Sequence, residues 1–339
     1  MTNMKAVELR PAHGGGGLSI ASRPVPKPGR GEVLVRVRAA SLNFRDLLVA
    51  DHMYGALPET VVPLSDGAGE IAALGEGVSG LVPGQRVAGA FYPDWITGPI
   101  TAAARTRSLG ANMDGMLAQY ALLPAHAAIP VPDHLSDEEA ATLPCAGLTA
   151  WNALFNVAAL QPGQDVLLIG SGGVSVFALQ FARMAGARII ILSGSAEKRA
   201  RLAEMGAHHL IDYKASPDWH KDVMQLTDGR GVDVVVEVGG PGTLEKSMQS
   251  VRVGGTIVAI GFVAQEGAGV APRLVIGKSV NLQGITVGNC AQFHEMNRAL
   301  SLHELKPAIG HVFAMDDVKD AYALQRRAGH FGKIVIKVD

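Results

Sequence analysis

The stretch from Asp165 to Ser195 constrains this chain more than any other. An apolar run, Val166 to Ile169, breaks into Gly170, Gly172 and Gly173. A helix-compatible segment follows, and a second apolar run, Ile189 to Leu192, completes the unit. Strand, glycine turn, helix and parallel strand in this order predict a βαβ unit whose turn amides and helix N-terminus face a pyrophosphate. Gly170, Gly172, Gly173 and Val174 are therefore candidate cofactor contacts. The third small position of the G-x-G-x-x-G pattern is Ser175. Serine adds one small group where helix and strand pack, so a slight change of spacing is expected, not loss of the site.

The end of the second strand addresses which dinucleotide. An NAD-selective site places Asp or Glu there to bond the ribose 2′-hydroxyl. This chain has Ser193-Gly194-Ser195, with Lys198 one turn into the next helix. Hydroxyls and an ammonium accept a 2′-phosphate that a carboxylate would repel, which favours NADP(H) over NAD(H). The same letters also suit a plain N-cap (Ser195) and a solvated helix residue (Lys198). Glu197 suits the dipole of a first helical turn. Tyr213, after the third strand, is a candidate neighbour of the adenine or simply a partly buried ring.

The rest of the chain supplies the setting. Glu32 to Val37 and Gly69 to Leu74 pattern as strands, and Gly75, Gly77, Gly80 and Pro83-Gly84 punctuate the way to Arg86. Turns at this density predict a small β-barrel or a strongly bent sheet. From Ser136 the texture changes: Ser136-Asp-Glu-Glu139 has capping-box spacing. Beyond Gly163, strands are expected at 165–169, 188–193, 208–212, 233–238, 255–260 and around 281–286. Helices are expected near 174–185, 196–205, 218–227 and 242–251. Such alternation builds a doubly wound parallel sheet. The closing run Lys333 to Val338 patterns as a strand able to rejoin the first domain. The expected division is 1–125, completed by about 300–339, and 126–299. A chain of 339 residues exceeds what one core usually serves, which agrees with two domains.

Composition excludes several classes. A net charge of −1 without a basic block argues against a nucleic-acid surface. Two cysteines, Cys145 and Cys290, preclude a disulfide framework and a four-cysteine zinc site. No secretory signal and no apolar stretch of roughly 20 residues is visible, so a cytoplasmic protein without membrane partners is expected.

Several motifs together are specific. They are Asn43-Phe-Arg-Asp46, the run from Gly69 through Gly75 to Gly77-Val78, Pro83-Gly-Gln-Arg-Val87, Leu143-Pro-Cys-Ala-Gly-Leu-Thr149, the glycine loop and Gly332-Lys333. In these the chain resembles the medium-chain dehydrogenase/reductase superfamily, nearest its quinone-oxidoreductase-like and alcohol-dehydrogenase-like branches. The resemblance implies an α/β protein with a GroES-like β-barrel catalytic domain and a Rossmann domain, and a homodimer. Zinc-dependent relatives hold their catalytic metal with Cys, His and Cys. Here those positions correspond to Asn43, Ser65 and Cys145, and the lobe carrying structural zinc lacks its cysteines. Asp66 is a possible carboxylate ligand beside them. Three good ligands are not present, so no metal is expected.

Without a Lewis acid, alkoxide stabilisation is lacking, whereas a quinone or enone needs only hydrogen-bond donors and a proton once hydride arrives. The implied catalytic candidates are Asn43, whose amide would orient substrate, Tyr54 as proton donor, and Asp46. Tyr54 is equally accounted for as a barrel-edge aromatic, and Arg45 with Asp46 as a structural pair beneath the site. Nicotinamide contacts are expected from Val238, Gly239, Gly261, Phe262, Val287, Gly288 and Asn289, with Thr149 in the same cleft. Lys333 matches a basic position that reaches the cofactor phosphates in relatives. Phe91, Trp95 and Cys145 are expected to shape the substrate pocket. The leading expectation is NADPH-dependent, zinc-independent reduction of a small carbonyl or quinone. An alcohol dehydrogenase of the same fold and a non-catalytic dinucleotide sensor are the alternatives.

Overall fold

The computed structural model describes residues 2–263 and 272–338. Its contacts divide the chain into two compact units, 1–148 with 287–339, and 149–286. The expected boundaries near 125 and 300 thus move. The chain stays in the first unit beyond 125 because Ala128–Pro130 pairs antiparallel with Arg86–Gly89.

In the second unit six strands form one sheet in the order His209–Ile211, Arg188–Leu192, Asp165–Ile169, Val232–Glu237, Val251–Ala259, Asn281–Gly284. Every neighbouring pair is parallel. The β-branched and leucine-rich runs that formed the sequence pattern are buried on both faces; Val166, Ile190 and Val235 are fully inaccessible, as expected when helices cover each side of a parallel sheet. Strand order reverses between Asp165–Ile169 and Val232–Glu237. The loops leaving these two strands therefore flank the crevice where such sheets bind ligands.

The first unit holds a seven-stranded sheet. Its path runs Ile309–Ala314, Lys333–Lys337, Glu32–Leu42, Asp66–Leu74, Arg86–Gly89, Ala128–Pro130, and Tyr120–Pro124 also pairs with Glu32–Leu42. The C-terminal strand lies antiparallel to the first long strand, with Ile334 opposite Leu42. That register brings the neighbouring residue, Lys333, beside the start of the helix Phe44–Ala50. Its core gathers Leu9, Val35, Leu42, Ile71, Met116, Leu123 and Ile334. Among the described residues no helix is long and apolar enough to cross a membrane.

Candidate active site

The first unit buries a cluster of polar groups around one helix start. Asn43 is the N-cap of Phe44–Ala50, and its backbone N–H donates to Asp46 Oδ2 at 2.8 Å, half of a capping box. The side-chain oxygen of Asn43 accepts from Lys333 Nζ at 2.5 Å. The same ammonium donates to the Leu42 carbonyl at 2.6 Å and lies 3.9 Å from Asp66 Oδ2. Asp66 is fully buried; it accepts from Ser65 Oγ at 2.7 Å and from the Cys145 backbone N–H at 3.1 Å. Two buried donors of this cluster are left over, Asn43 Nδ2 and Arg45 Nε, neither of which makes a hydrogen bond. The Asn43 side chain nonetheless lowers the Asp66 pKa as a hydrogen-bond donor toward that carboxylate, although the contact falls short of full hydrogen-bond geometry.

Ser65 and Asp66 are presented by a strained backbone. Leu64, just before them, is fully buried with φ 69°, a left-handed conformation that disfavours a branched side chain. Gly110 and Gly115 pack on its backbone so closely that a β-carbon on either would lie 2.5 Å and 2.1 Å from it. Strain held in place by surrounding structure is a feature of functional sites.

Arg45 and Asp46 form the pair expected beneath this cluster, with Nη1 3.3 Å from Oδ1. Arg45 also donates to the Leu109 carbonyl at 2.8 Å and to Ser108 Oγ at 3.3 Å. Its guanidinium lies over the rings of both Tyr54 and Phe91, 4.5 Å and 4.8 Å from their centroids. Phe91 is thus committed to the arginine and nearly inaccessible, as is Trp95, whose indole N–H donates to the Gly98 carbonyl at 2.9 Å. The Tyr54 hydroxyl lies 3.5 Å from that of Tyr92.

Electrostatics follow from burial. Removal from water pushes Asp46 up to about 6, against the pull of Arg45. It also raises Asp66, opposed first by Lys333, and raises the Cys145 thiol, with Asp66 adding to the rise. Burial pushes the Tyr54 phenol up to about 12, with Arg45 opposing. The cluster therefore holds protons readily: the thiol and phenol are neutral acids, and the fixed cations are Lys333 and Arg45.

The second unit presents the dinucleotide face. Gly170, at φ 83°, turns the chain out of its strand, and Gly172 caps the helix Gly173–Met184, with Val174 in its first turn. Ser175 is buried and donates to the Ile169 carbonyl at 2.6 Å, tying helix to strand. Ser193 is buried, and its carbonyl accepts from Arg199 at 2.7 Å. Ser195 caps the next helix, accepting from the Lys198 backbone N–H at 3.4 Å. Burial shifts the Lys198 ammonium down, with Glu197 opposing. The Tyr213 ring and the Lys214 chain lie over Gly194, where a β-carbon would come within 2.8 Å of both. Thr149 is buried in this unit, at its N-terminal boundary.

The Val238–Gly239 loop is held by a residue that sequence reasoning missed. Glu237 is fully buried at the end of its strand, and Oε1 accepts from Gly239 N at 2.7 Å, Gly240 N at 3.1 Å and Thr243 Oγ1 at 2.6 Å. Its other oxygen accepts from Ser247 Oγ. Gly261 packs on Val238, where a β-carbon would be 2.6 Å from the carbonyl oxygen, and Phe262 beside it is half exposed. Val287, Gly288 and Asn289 fall instead in the first unit. There Asn289 caps the helix Cys290–His303 and donates to the Gly98 carbonyl at 3.3 Å. Arg199, Tyr92 and Leu64 are further residues that no motif signalled. Lys333, expected at cofactor phosphates, is buried with its ammonium directed to Leu42, Asn43 and Asp66.

A nucleotide-type parallel sheet in one unit and a largely antiparallel sheet in the other define a class, and the comparisons with known proteins agree. The model of the alcohol dehydrogenase GroES-like domain matches residues 29–133, and that of the zinc-binding dehydrogenase family matches 173–304. A zinc-type alcohol dehydrogenase-like protein of Schizosaccharomyces pombe is 43% identical over 318 residues, covering 91% of each chain. The acryloyl-coenzyme A reductase of Metallosphaera sedula is 29% identical over 322 residues, covering 92% of this chain and 93% of its own. A solved NAD-dependent alcohol dehydrogenase superposes with a TM-score of 0.90 at 33% identity, covering 99% of this chain and 100% of its own. The chain belongs to the medium-chain dehydrogenase/reductase superfamily. Within it, the protein is an NAD(P)-dependent oxidoreductase of the alcohol-dehydrogenase-like kind.

Proposed function

We propose that this protein is an NADPH-dependent, zinc-independent reductase of conjugated carbonyls or quinones. The observation that carries the reading is the donor set where zinc-dependent relatives hold their metal. Asn43 offers an amide whose oxygen already accepts from Lys333, Ser65 donates its hydroxyl to Asp66, and burial keeps the Cys145 thiol protonated. A catalytic zinc site needs about three anionic or imidazole ligands. Among the described residues no three His, Cys, Asp or Glu side chains converge on a point that would hold a metal. These residues do not fit the ion.

What the cluster offers instead is N–H and O–H donors in a buried setting. When bound, the nicotinamide supplies the hydride. Reduction of a conjugated carbonyl places negative charge on its oxygen, and a buried donor such as Asn43 Nδ2 stabilises that charge far better than water does. Tyr54, kept protonated by burial, holds a proton to neutralise the enolate. The acryloyl-coenzyme A reductase among the relatives supports this, since its name denotes reduction of a conjugated acyl group. For the cofactor, Ser193, Ser195 and Lys198 with neighbouring Arg199 and Lys214 make the surroundings of Gly194 suited to a 2′-phosphate.

The test is NADPH oxidation with a quinone or an enone after EDTA treatment, expected to persist. Activity lost to EDTA and restored by zinc would overturn the metal-free reading. In a fluorescence titration NADPH should bind more tightly than NADH, and Lys198→Ala should weaken NADPH about tenfold while leaving NADH unchanged. Tighter NADH binding by the parent protein would overturn the cofactor assignment.

A further inference from the structure

We infer that Lys333 is a positioning residue that fixes which end of the Asn43 amide is offered to substrate. This rests on the proposed reduction of a carbonyl, but its structural half stands separately. An asparagine side chain has an acceptor end and a donor end of nearly equal shape, so its orientation is set by its hydrogen bonds. Lys333 Nζ carries only donors, and it lies 2.5 Å from Asn43 Oδ1. The flipped amide would set N–H against ammonium at that distance, which is repulsive. One orientation therefore survives, and it leaves Nδ2 as the end able to donate.

The ammonium is itself held. Lys333 is 2% exposed, and the Leu42 carbonyl at 2.6 Å and Asp66 Oδ2 at 3.9 Å fix it from other sides. It is delivered by the pairing of Ile334 with Leu42, a rigid sheet contact rather than a loop. A charged donor on the amide oxygen also draws electron density from the amide nitrogen, which strengthens Nδ2 as a donor. Nδ2 is buried and, apart from an incomplete contact with the Asp66 carboxylate, makes no hydrogen bond, so it keeps donor capacity for a further acceptor. A carbonyl oxygen gaining negative charge is the complementary group, and the ammonium's own hydrogen bonds stay with the protein.

The test is a double-mutant cycle on the full-length protein with NADPH and a quinone. Lys333→Met and Asn43→Ala should each lower kcat by about 10²-fold with the KM for NADPH unchanged, and the double variant should be no worse than Asn43→Ala alone. Lys333→Arg, which keeps a cationic donor, should recover most of the loss. Additive effects, or a raised KM for NADPH in Lys333→Met alone, would overturn the inference in favour of a direct phosphate contact. NADPH binding and the thermal midpoint show whether each variant is folded. A second readout is the side-chain amide resonance of Asn43, which should shift on Lys333→Met whatever the substrate is. An unchanged resonance would overturn the positioning role. A shifted resonance in a protein that reduces no quinone or enone would uphold the positioning role and overturn only the proposed substrate class.

Discussion

In each unit a pair of buried aspartates gathers cations around it, and the two clusters are built to opposite specifications. In the second unit Asp165 and Asp233 sit near the N-terminal ends of neighbouring strands. Arg188 chelates Asp165 at 2.5 Å and 2.7 Å, Arg230 reaches both carboxylates, and Arg252 donates to Asp233 at 2.6 Å. The Asp165 backbone N–H adds a bond to Asp233 at 2.9 Å. In the first unit, Asp46 and Asp66 share fewer donors, the cations Arg45 and Lys333 are themselves buried, and the Asn43 amide nitrogen and Arg45 Nε are left without a full hydrogen bond. The arginines of the second unit keep part of their surface in water, from 31% to 50% exposed.

The pKa directions carry the contrast. Burial alone would lift Asp233, but hydrogen bonds from Arg230, the Asp165 amide and Arg252 outweigh it and hold the group at about 2. In the first unit burial wins: Asp46 rises to about 6 and Asp66 rises too. A saturated cluster stabilises the fold and has nothing left to bind. An unsaturated one is costly on its own account, which is what a site that completes its hydrogen bonds with a ligand looks like.

Three experiments press on this comparison. The largest effect is expected from Asp233→Asn, which leaves the arginines without one of their two carboxylates. We expect a loss of roughly 2 kcal/mol in urea unfolding, moderated by the exposure of the arginines, with kcat unchanged. A fall in kcat without loss of stability would reverse the roles assigned to the clusters.

Next comes pH, where the two clusters act with opposite signs. Asp233 has its pKa depressed when folded, so its contribution is present above about pH 4 and is lost as pH falls toward about 2. Asp46 has its pKa raised, so the folded state binds the proton more tightly than the unfolded one. Its effect is a loss of stability as pH rises from about 4 to about 6, and none beyond. Urea midpoints across this range should fall at the acid end in the parent protein, and that fall should flatten in Asp233→Asn. Asp46→Asn should flatten only the segment between pH 4 and 6.

The smallest effect concerns Tyr322, whose hydroxyl is buried in the first unit without a hydrogen-bond partner. Tyr322→Phe removes an unsatisfied group, so stability should hold or rise, by no more than about 1 kcal/mol. A clear loss would show that the hydroxyl has a partner and that the first unit is better satisfied than its contacts indicate.

Much of this was legible in the chain, and unevenly so. The strand and helix sequence of the second unit is close to its pattern, because fully buried strands and capped helices are written in contiguous letters. Ser175 was legible as packing, and its bond to Ile169 spans six positions. Ser195 was legible as a cap and Arg45 with Asp46 as a pair for the same reason. Glu237 was not legible, since a carboxylate ending a strand gives no sign of the four donors folded around it. Leu64 could not be found either: nothing local to a leucine shows that two glycines some fifty residues on hold it in a left-handed turn.

The amino-acid sequence alone determined the parallel dinucleotide-type unit, its glycine turn and the identities of Asn43, Ser65 and Cys145. Each of these depends on neighbours within a turn or two, or on residue identity itself. Only the tertiary structure decided that Lys333 meets Asn43 across 290 positions, that its ammonium turns inward and that the amide nitrogen is left without a full hydrogen bond. Those facts depend on the geometry of individual donors and on sheet register: the return of the last strand to the first domain was expected, but its partner and its register are decided only when the sheet is assembled.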